Sequence, residues 1–195
     1  MVLCEDTRVT GKLFKHFDID TRMLSFHQHN EHRLLESIVD RIAGGEVMAM
    51  VSDAGMPGIS DPAFLLVRAC VQQGVSVEAL PGPTAFVPAL VASGIPCDRF
   101  CFEGFLPVKK GRKTRLESLS GESRTMVFYE SPHRLVKTLR DLADYLSPDR
   151  AACVSREISK LHETHYRDSL AALHKTFSEK TVKGEITIVV AGKDG

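Results

Sequence analysis

Tryptophan is absent from this 195-residue chain, and so are a charge imbalance, an apolar stretch of membrane-spanning length and any C-x-x-C pair. Each absence excludes something. With 25 basic and 25 acidic side chains the formal net charge is zero, so no global field attracts a polyanion and any nucleic-acid site must be a local patch. A mean hydropathy of -0.07 leaves no segment apolar enough to cross a bilayer. The opening Met1-Val2-Leu3-Cys4-Glu5-Asp6 puts acids where a signal peptide needs a positive charge, so a cytoplasmic location is expected. Cys4, Cys70, Cys97, Cys101 and Cys153 are odd in number and scattered, which points to reduced core thiols rather than a zinc or redox pair. His27, His29 and His32 cluster, yet no Cys or carboxylate stands at a ligand spacing beside them, so no metal is expected.

What is present is an alternation of Val/Ile/Phe-rich runs with helix-period segments, the mark of an α/β chain with a largely parallel sheet. Asn30 to Ala43 carries Leu34, Leu35, Ile38, Val39 and Ile42 on one helical face, with Asn30 as cap and Gly44-Gly45 as stop. Val47 to Val51 reads as a buried strand, and Asp61-Pro62 as the cap and first turn of a helix ending at Gly74. A strand over Val75 to Leu80, a helix to Ser93-Gly94 and a short apolar segment Phe100 to Phe102 follow. The connector 104–111 marks the expected boundary between an N-terminal α/β domain, 1–104, and a C-terminal one, 105–195. The second half predicts strands over 125–129, 151–155 and 185–190 and helices over 133–146 and 168–177.

In open α/β sheets ligands bind where strand ends and helix N-termini converge, and four loops hold that position. The first, Ser52 to Asp61, joins glycines that allow close backbone approach to carboxylates suited to an ammonium, a sulfonium or ribose hydroxyls. Asp61 alone reads better as a helix cap. The second, Leu80-Pro81-Gly82-Pro83-Thr84-Ala85, is stiff and compact, and as a lone turn it would be weak evidence. The third, Tyr129 to Arg134, and the fourth, Ser155-Arg156-Glu157, end strands with an aromatic, carboxylates and cations.

Taken in order, CEDTR, FHQHNEHR, VSDAGMPGISDP, LPGPTAFVPALVASGIP, FEGFLPVKKGRK, FYESPHRL, SREISKLHE and GEITIVVAG resemble the signature set of the small-subunit ribosomal RNA methyltransferase branch of the tetrapyrrole-methylase superfamily. The resemblance runs along essentially the whole chain. It implies two α/β domains, usually in a homodimer, with S-adenosylmethionine in a cleft between them. By motif position, Asp53, Ala54, Gly55, Met56, Pro57 and Ile59 would line the methionine side, with Pro81, Gly82, Thr84 and Ala85 beside them. Tyr129, Glu130, Arg156 and Ile186 would enclose the adenosine. Met56 stands where the superfamily often has Asp. The family's opening strand, loop and helix have no counterpart before CEDTR, and its longer C-terminal extension has none either.

The implied reaction is methylation of the ribose 2′-hydroxyl of a cytidine near the decoding site of 16S RNA, alone or in the assembled small subunit. A ribose hydroxyl is a poor nucleophile, so a carboxylate is needed to take its proton; Glu130 and Asp53 are the candidates, with Glu5 and Asp6 behind them. Lys109, Lys110, Arg112, Lys113 and Arg115 make five of the seven positions from 109 to 115 basic, and with His133 and Arg134 they form the candidate RNA patch. Two rival readings stand beside this one. The chain could be a non-catalytic RNA-binding or dimerising fragment, or it could be a methylase of a tetrapyrrole, a substrate with no need of a contiguous basic strip.

Overall fold

Short β-rich runs between helical segments produce eight strands and seven helices in a computed structural model that describes residues 1–193. They form two compact units, Met1–Thr84 and a second beginning at Ala85, each with its own sheet.

In the first unit β1 (Val2–Cys4), β2 (Met23–Ser25) and β3 (Ala49–Val51) run parallel in the order β2-β1-β3. Parallel strands need crossovers, and α1 (Thr7–His16) and α2 (Glu31–Ala43) supply them. Asp6 starts α1 by accepting the Arg8 N–H. Asn30 starts α2 differently, with its side chain spanning the His27 N–H and the Ser25 carbonyl. The core is small: Leu3, Phe26, Ile38, Val39, Leu66 and Cys70, the last two from α3 (Phe64–Gln72).

Several expectations change here. The predicted strand Val75 to Leu80 has no regular structure, because β3 is the sheet edge and no ladder reaches this segment; among the described residues only its Val75 N–H finds a backbone partner, the Cys70 carbonyl. Val47 lies outside β3 and is exposed. The helix expected from Asp61-Pro62 begins at Phe64, with Ala63 rather than Asp61 at the cap position.

The second unit holds α4 (Phe86–Ser93), β4 (Phe100–Phe105), α5 (Arg112–Leu119), β5 (Thr125–Glu130), α6 (Leu135–Leu146), β6 (Ala151–Arg156), β7 (Thr164–Ser169), α7 (Leu170–Ser178) and β8 (Ile186–Val190). The sheet order is β4-β5-β8-β6-β7. Helices α4 and α5 and strand β4 therefore belong to one packing unit, so the packing division falls before α4 while the connector at 104–111 lies inside the unit. The expectation of a largely parallel sheet holds in the first unit and not in the second: β4 and β5 are parallel, whereas β8 runs antiparallel to both β5 and β6, and β6 to β7. The reason is connection length. The β6–β7 loop is too short to carry a crossover, and β8 enters the gap that the helical β5-α6-β6 connection leaves open.

This sheet is covered on both faces. Met126 and Phe128 of β5 and Val154 of β6 meet Leu135, Leu139, Leu142 and Leu146 of α6 and Leu170, Leu173 and Phe177 of α7. Each such leucine contributes about 1.5–3 kcal/mol. Val127, Cys153 and Val189 face the other way onto Ala89 and Leu90 of α4. The helix expected over 168–177 is α7, preceded by β7, whose polar sequence THYRDS carries no apolar alternation to announce it.

Candidate functional site

In the first unit the parallel register brings the residues after β1 and β3 to the same sheet edge. There they clasp each other: the Asp53 N–H donates to Glu5 Oε2 at 3.1 Å, and the Asp6 N–H donates to Asp53 Oδ1 at 3.3 Å. The Ser52 hydroxyl closes the next turn onto the Gly55 carbonyl at 2.8 Å. Gly55 has φ 87°, and a Cβ there would lie 3.5 Å from the Pro83 carbonyl oxygen; one on Gly82 would lie 3.8 Å from Met56 Cβ. Loops 52–61 and 81–84 are therefore neighbours in ordinary van der Waals contact, and what Gly55 supplies is its positive φ. Ser60, at φ 65°, adds a non-glycine residue in the left-handed region, the kind of local strain that gathers at functional loops.

Three carboxylates meet at this edge without a salt bridge among the described residues: Glu5, Asp53 and Asp61. Burial first, then repulsion from Glu5 and Asp53, pushes the Asp61 carboxyl up to about 6. Asp6 differs, since hydrogen bonds from Arg8 hold its carboxyl down at about 2. Ala54, Gly55, Pro81 and Gly82 are exposed, and Met56, Pro57, Ile59 and Thr84 are half-buried. An acid-rich edge of close-set backbone suits a ligand that carries positive charge, such as a sulfonium or an ammonium. Sequence reasoning passed over Asp61 because Asp before Pro is a strong capping signal; only the fold shows its carboxyl left among like charges.

In the second unit Glu130, Ile186 and Arg156 lie side by side across β5, β8 and β6, and Tyr129, Thr187 and Ser155 form the row beside them. Tyr129 is packed in an aromatic cluster, its ring centroid 5.0 Å from that of Phe102 and 5.7 Å from that of Phe105. Ile186 is a core residue. Arg156 spans two loops, donating to the Lys183 carbonyl at 2.6 Å and the His162 carbonyl at 3.1 Å. Ala85 precedes α4 at its cap position.

Both oxygens of Glu130 are engaged. Its Oε2 accepts the Thr138 hydroxyl at 2.5 Å, its Oε1 accepts the Ser131 N–H at 2.8 Å, and Arg134 Nε lies 3.3 Å away. The network continues, because Arg112 donates to Thr138 Oγ1, Asp141 Oδ2 and the Pro107 carbonyl, while Arg134 donates to the Leu106 carbonyl. Glu130 is thus held in a buried network, and Arg112 spends its Nε, Nη1 and Nη2 on protein acceptors. Arg112 braces the turn that leads into α5, and Glu130 braces the turn from β5 into α6. Of the remaining basic candidates, Lys109, Lys110, Lys113 and His133 are exposed, and Arg115 is half-exposed beside Glu103.

Among the described residues no three His, Cys, Asp or Glu side chains gather as metal ligands. His27 accepts the His29 N–H on Nδ1. His165 is enclosed in a relay, with Nδ1 on Ser155 Oγ and Nε2 on Glu163, each at 2.8 Å; it ties β6 to β7 around a Ser155 with no exposed surface.

The model for Tetrapyrrole (Corrin/Porphyrin) Methylases matches residues 1–174. The chain belongs to the tetrapyrrole methylase family. As a member it is a methyltransferase, 46% identical over 98% of its length to the ribosomal RNA small subunit methyltransferase I of Synechocystis sp., of which it covers 69%. It is 42% identical to the protein of the same name from Thermotoga maritima, with 100% of this chain and 87% of that one covered. The methyltransferase CobJ shares this methylase's fold at a TM-score of 0.63 and 19% identity, over 98% of this chain and 92% of that one. Uroporphyrin-III C-methyl transferase from Thermus thermophilus, complexed with S-adenosyl homocysteine, gives 0.60 and 20%, over 97% and 84%. Among the described residues no helix is long and apolar enough to cross a membrane.

Proposed function

We propose that this tetrapyrrole methylase transfers a methyl group from S-adenosylmethionine to small-subunit ribosomal RNA, at the 2′-hydroxyl of a cytidine ribose near the decoding site. The observation that carries the reading is the 46% identity to a protein named for that substrate, held over nearly the whole chain. The acid-rich edge of the first unit supports it. When bound, S-adenosylmethionine supplies an electrophilic methyl group on a positively charged sulfur.

The chain's own work is binding, alignment and proton removal. Loop 52–61, clasped to Glu5 and Asp6, and its neighbour 81–84 offer close-set backbone, and Glu5, Asp53 and Asp61 offer negative charge to the cationic methionine end. As the new oxygen–carbon bond forms and the sulfur–carbon bond breaks, the ribose proton passes to a carboxylate oxygen. We assign that role to Asp61, whose carboxyl at about 6 titrates near working pH, in place of Glu130, whose two oxygens are both engaged. Holding the ribose oxygen in line accounts for about 7–11 kcal/mol in favourable cases. Lys109, Lys110, Lys113, Arg115 and His133 bind RNA phosphates, while Arg112 and Arg134 hold the patch from within. A homodimer belongs to the same reading, since α1 leaves Val9, Leu13 and Phe17 on one exposed stripe.

Titration with S-adenosylhomocysteine is the first test, with micromolar affinity, about -8 kcal/mol, expected. Methyl transfer to the assembled small subunit, followed by mapping of the modified nucleotide, is the second. Folded protein that gives no heat with the product analogue would sink the reading. In a pH series the acid limb of kcat/KM near 6 should disappear in Asp61→Asn.

A further inference from the structure

Asp141 on α6 is one carboxylate held by three cations. Its Oδ2 accepts Arg112 Nε at 2.8 Å and Lys137 Nζ at 2.7 Å, and Arg140 Nη2 lies 3.8 Å from its Oδ1. Burial raises the Asp141 carboxyl, but the hydrogen bonds from Lys137 and Arg112 outweigh it and leave the group below its ordinary value. Arg112 alone already pairs this carboxylate from a buried position, with a side chain 8% exposed. Lys137 and Arg140 are surplus to that pair, and their side chains are 56% and 57% exposed.

The placement is fixed by Arg112. It is the first residue of α5, and its N–H bonds the Lys109 carbonyl, so it stands in the middle of the basic run, with Lys109 and Lys110 before it and Lys113 and Arg115 after it. Lys137 Nζ shares one carboxylate oxygen with Arg112 Nε and so cannot be farther from it than those two bonds laid end to end. Residues 105–141 carry nine Lys and Arg against four Asp and Glu, in a chain whose total is balanced. All four acids there are already paired: Glu117 with Lys113, Glu122 with Arg124, Glu130 with Arg134, and Asp141 with its three cations. Like charges gathered this closely repel, and an incoming anion relieves the repulsion.

Resting on the RNA reading given above, we propose that Lys137 and Arg140 of α6 join Lys109, Lys110 and Lys113 in one phosphate-binding face that positions the RNA substrate. Lys137 and Arg140 lie far from the basic run in sequence; the packing of α5 on α6 unites them. The contacts are to phosphate, so they strengthen binding without selecting sequence.

The test is fluorescence anisotropy of a fluorescein-labelled single-stranded transcript of the decoding region, titrated with the full chain across a salt series. Lys137→Gln/Arg140→Gln should flatten the salt slope by about 1.4, equivalent to about 25-fold weaker binding at 0.1 M salt, and Arg140→Gln alone by about 0.7. S-adenosylhomocysteine affinity should stay unchanged, the melting temperature should fall only in the variant that loses the Lys137 bond to Asp141, and Lys12→Gln should leave the slope as it is. An unaltered slope in both variants, with wild-type protein binding the transcript, would overturn the proposal and leave the methyltransferase reading standing. Wild-type protein that binds the product analogue but no RNA would overturn the RNA reading, and this face with it.

Discussion

The two sheets of this methylase divide the labour unequally. Each strand of the first is three residues long, and its core gathers six buried residues; the second has strands of five or six residues and a core of eighteen on one face alone. Carboxylates follow the same division. Glu130, in the deep sheet, has every oxygen engaged, while Asp61, at the edge of the shallow one, is left among like charges. The carboxylate without a partner lies where packing is sparse, and the partnered one is part of the framework.

The sharpest way to break this contrast is Glu130→Ala, which strips the counter-charge from Arg134 and the acceptor from Thr138 in a buried network. A loss of about 3–5 kcal/mol is expected by urea denaturation, and a near-neutral result would mean the network is not framework at all. Leu139→Ala, at a fully buried position on α6, should cost about 2–5 kcal/mol, with hydrogen exchange showing faster opening of β5, β6 and β8.

Asp61→Asn probes the other side. Because the folded carboxyl at about 6 lies above its unfolded value, its ionised form strains the fold; stability rises as pH falls from 7 through 6 and levels off below the unfolded value near 4. The variant should melt higher than wild type at pH 7 and lose that rise on acidification. Arg41→Gln should do least, leaving the urea midpoint unchanged, since its pair with Glu46 is solvated on both sides.

Much of the second unit was legible from residue pattern, because uninterrupted apolar runs such as ITIVV and helix faces such as Leu135-Leu139-Leu142-Leu146 have a single plausible burial. The segment 75–80 was misread since β-propensity states what a strand prefers, not whether a neighbour exists to pair with it. Family motifs imply that loops 52–61 and 81–84 are neighbours, which holds in the fold. They could not separate Asp61 from a helix cap, nor Arg112 from the surface lysines beside it, because burial of a single charged side chain depends on which helix packs over it. Lys137 and Arg140 left no local trace for the same reason.

The central position of β8 carries a consequence for how the molecule is made. Its neighbours β5 and β6 are synthesised earlier, and at roughly 5–20 residues per second several seconds pass between Glu130 and Val190 emerging in turn. Through that interval the nascent chain carries two apolar strands with a vacancy between them, so the second unit cannot complete its sheet stepwise. It closes only when the late strand arrives, and a product released early by a stalled ribosome would be a target for chaperones and proteases rather than a partial enzyme.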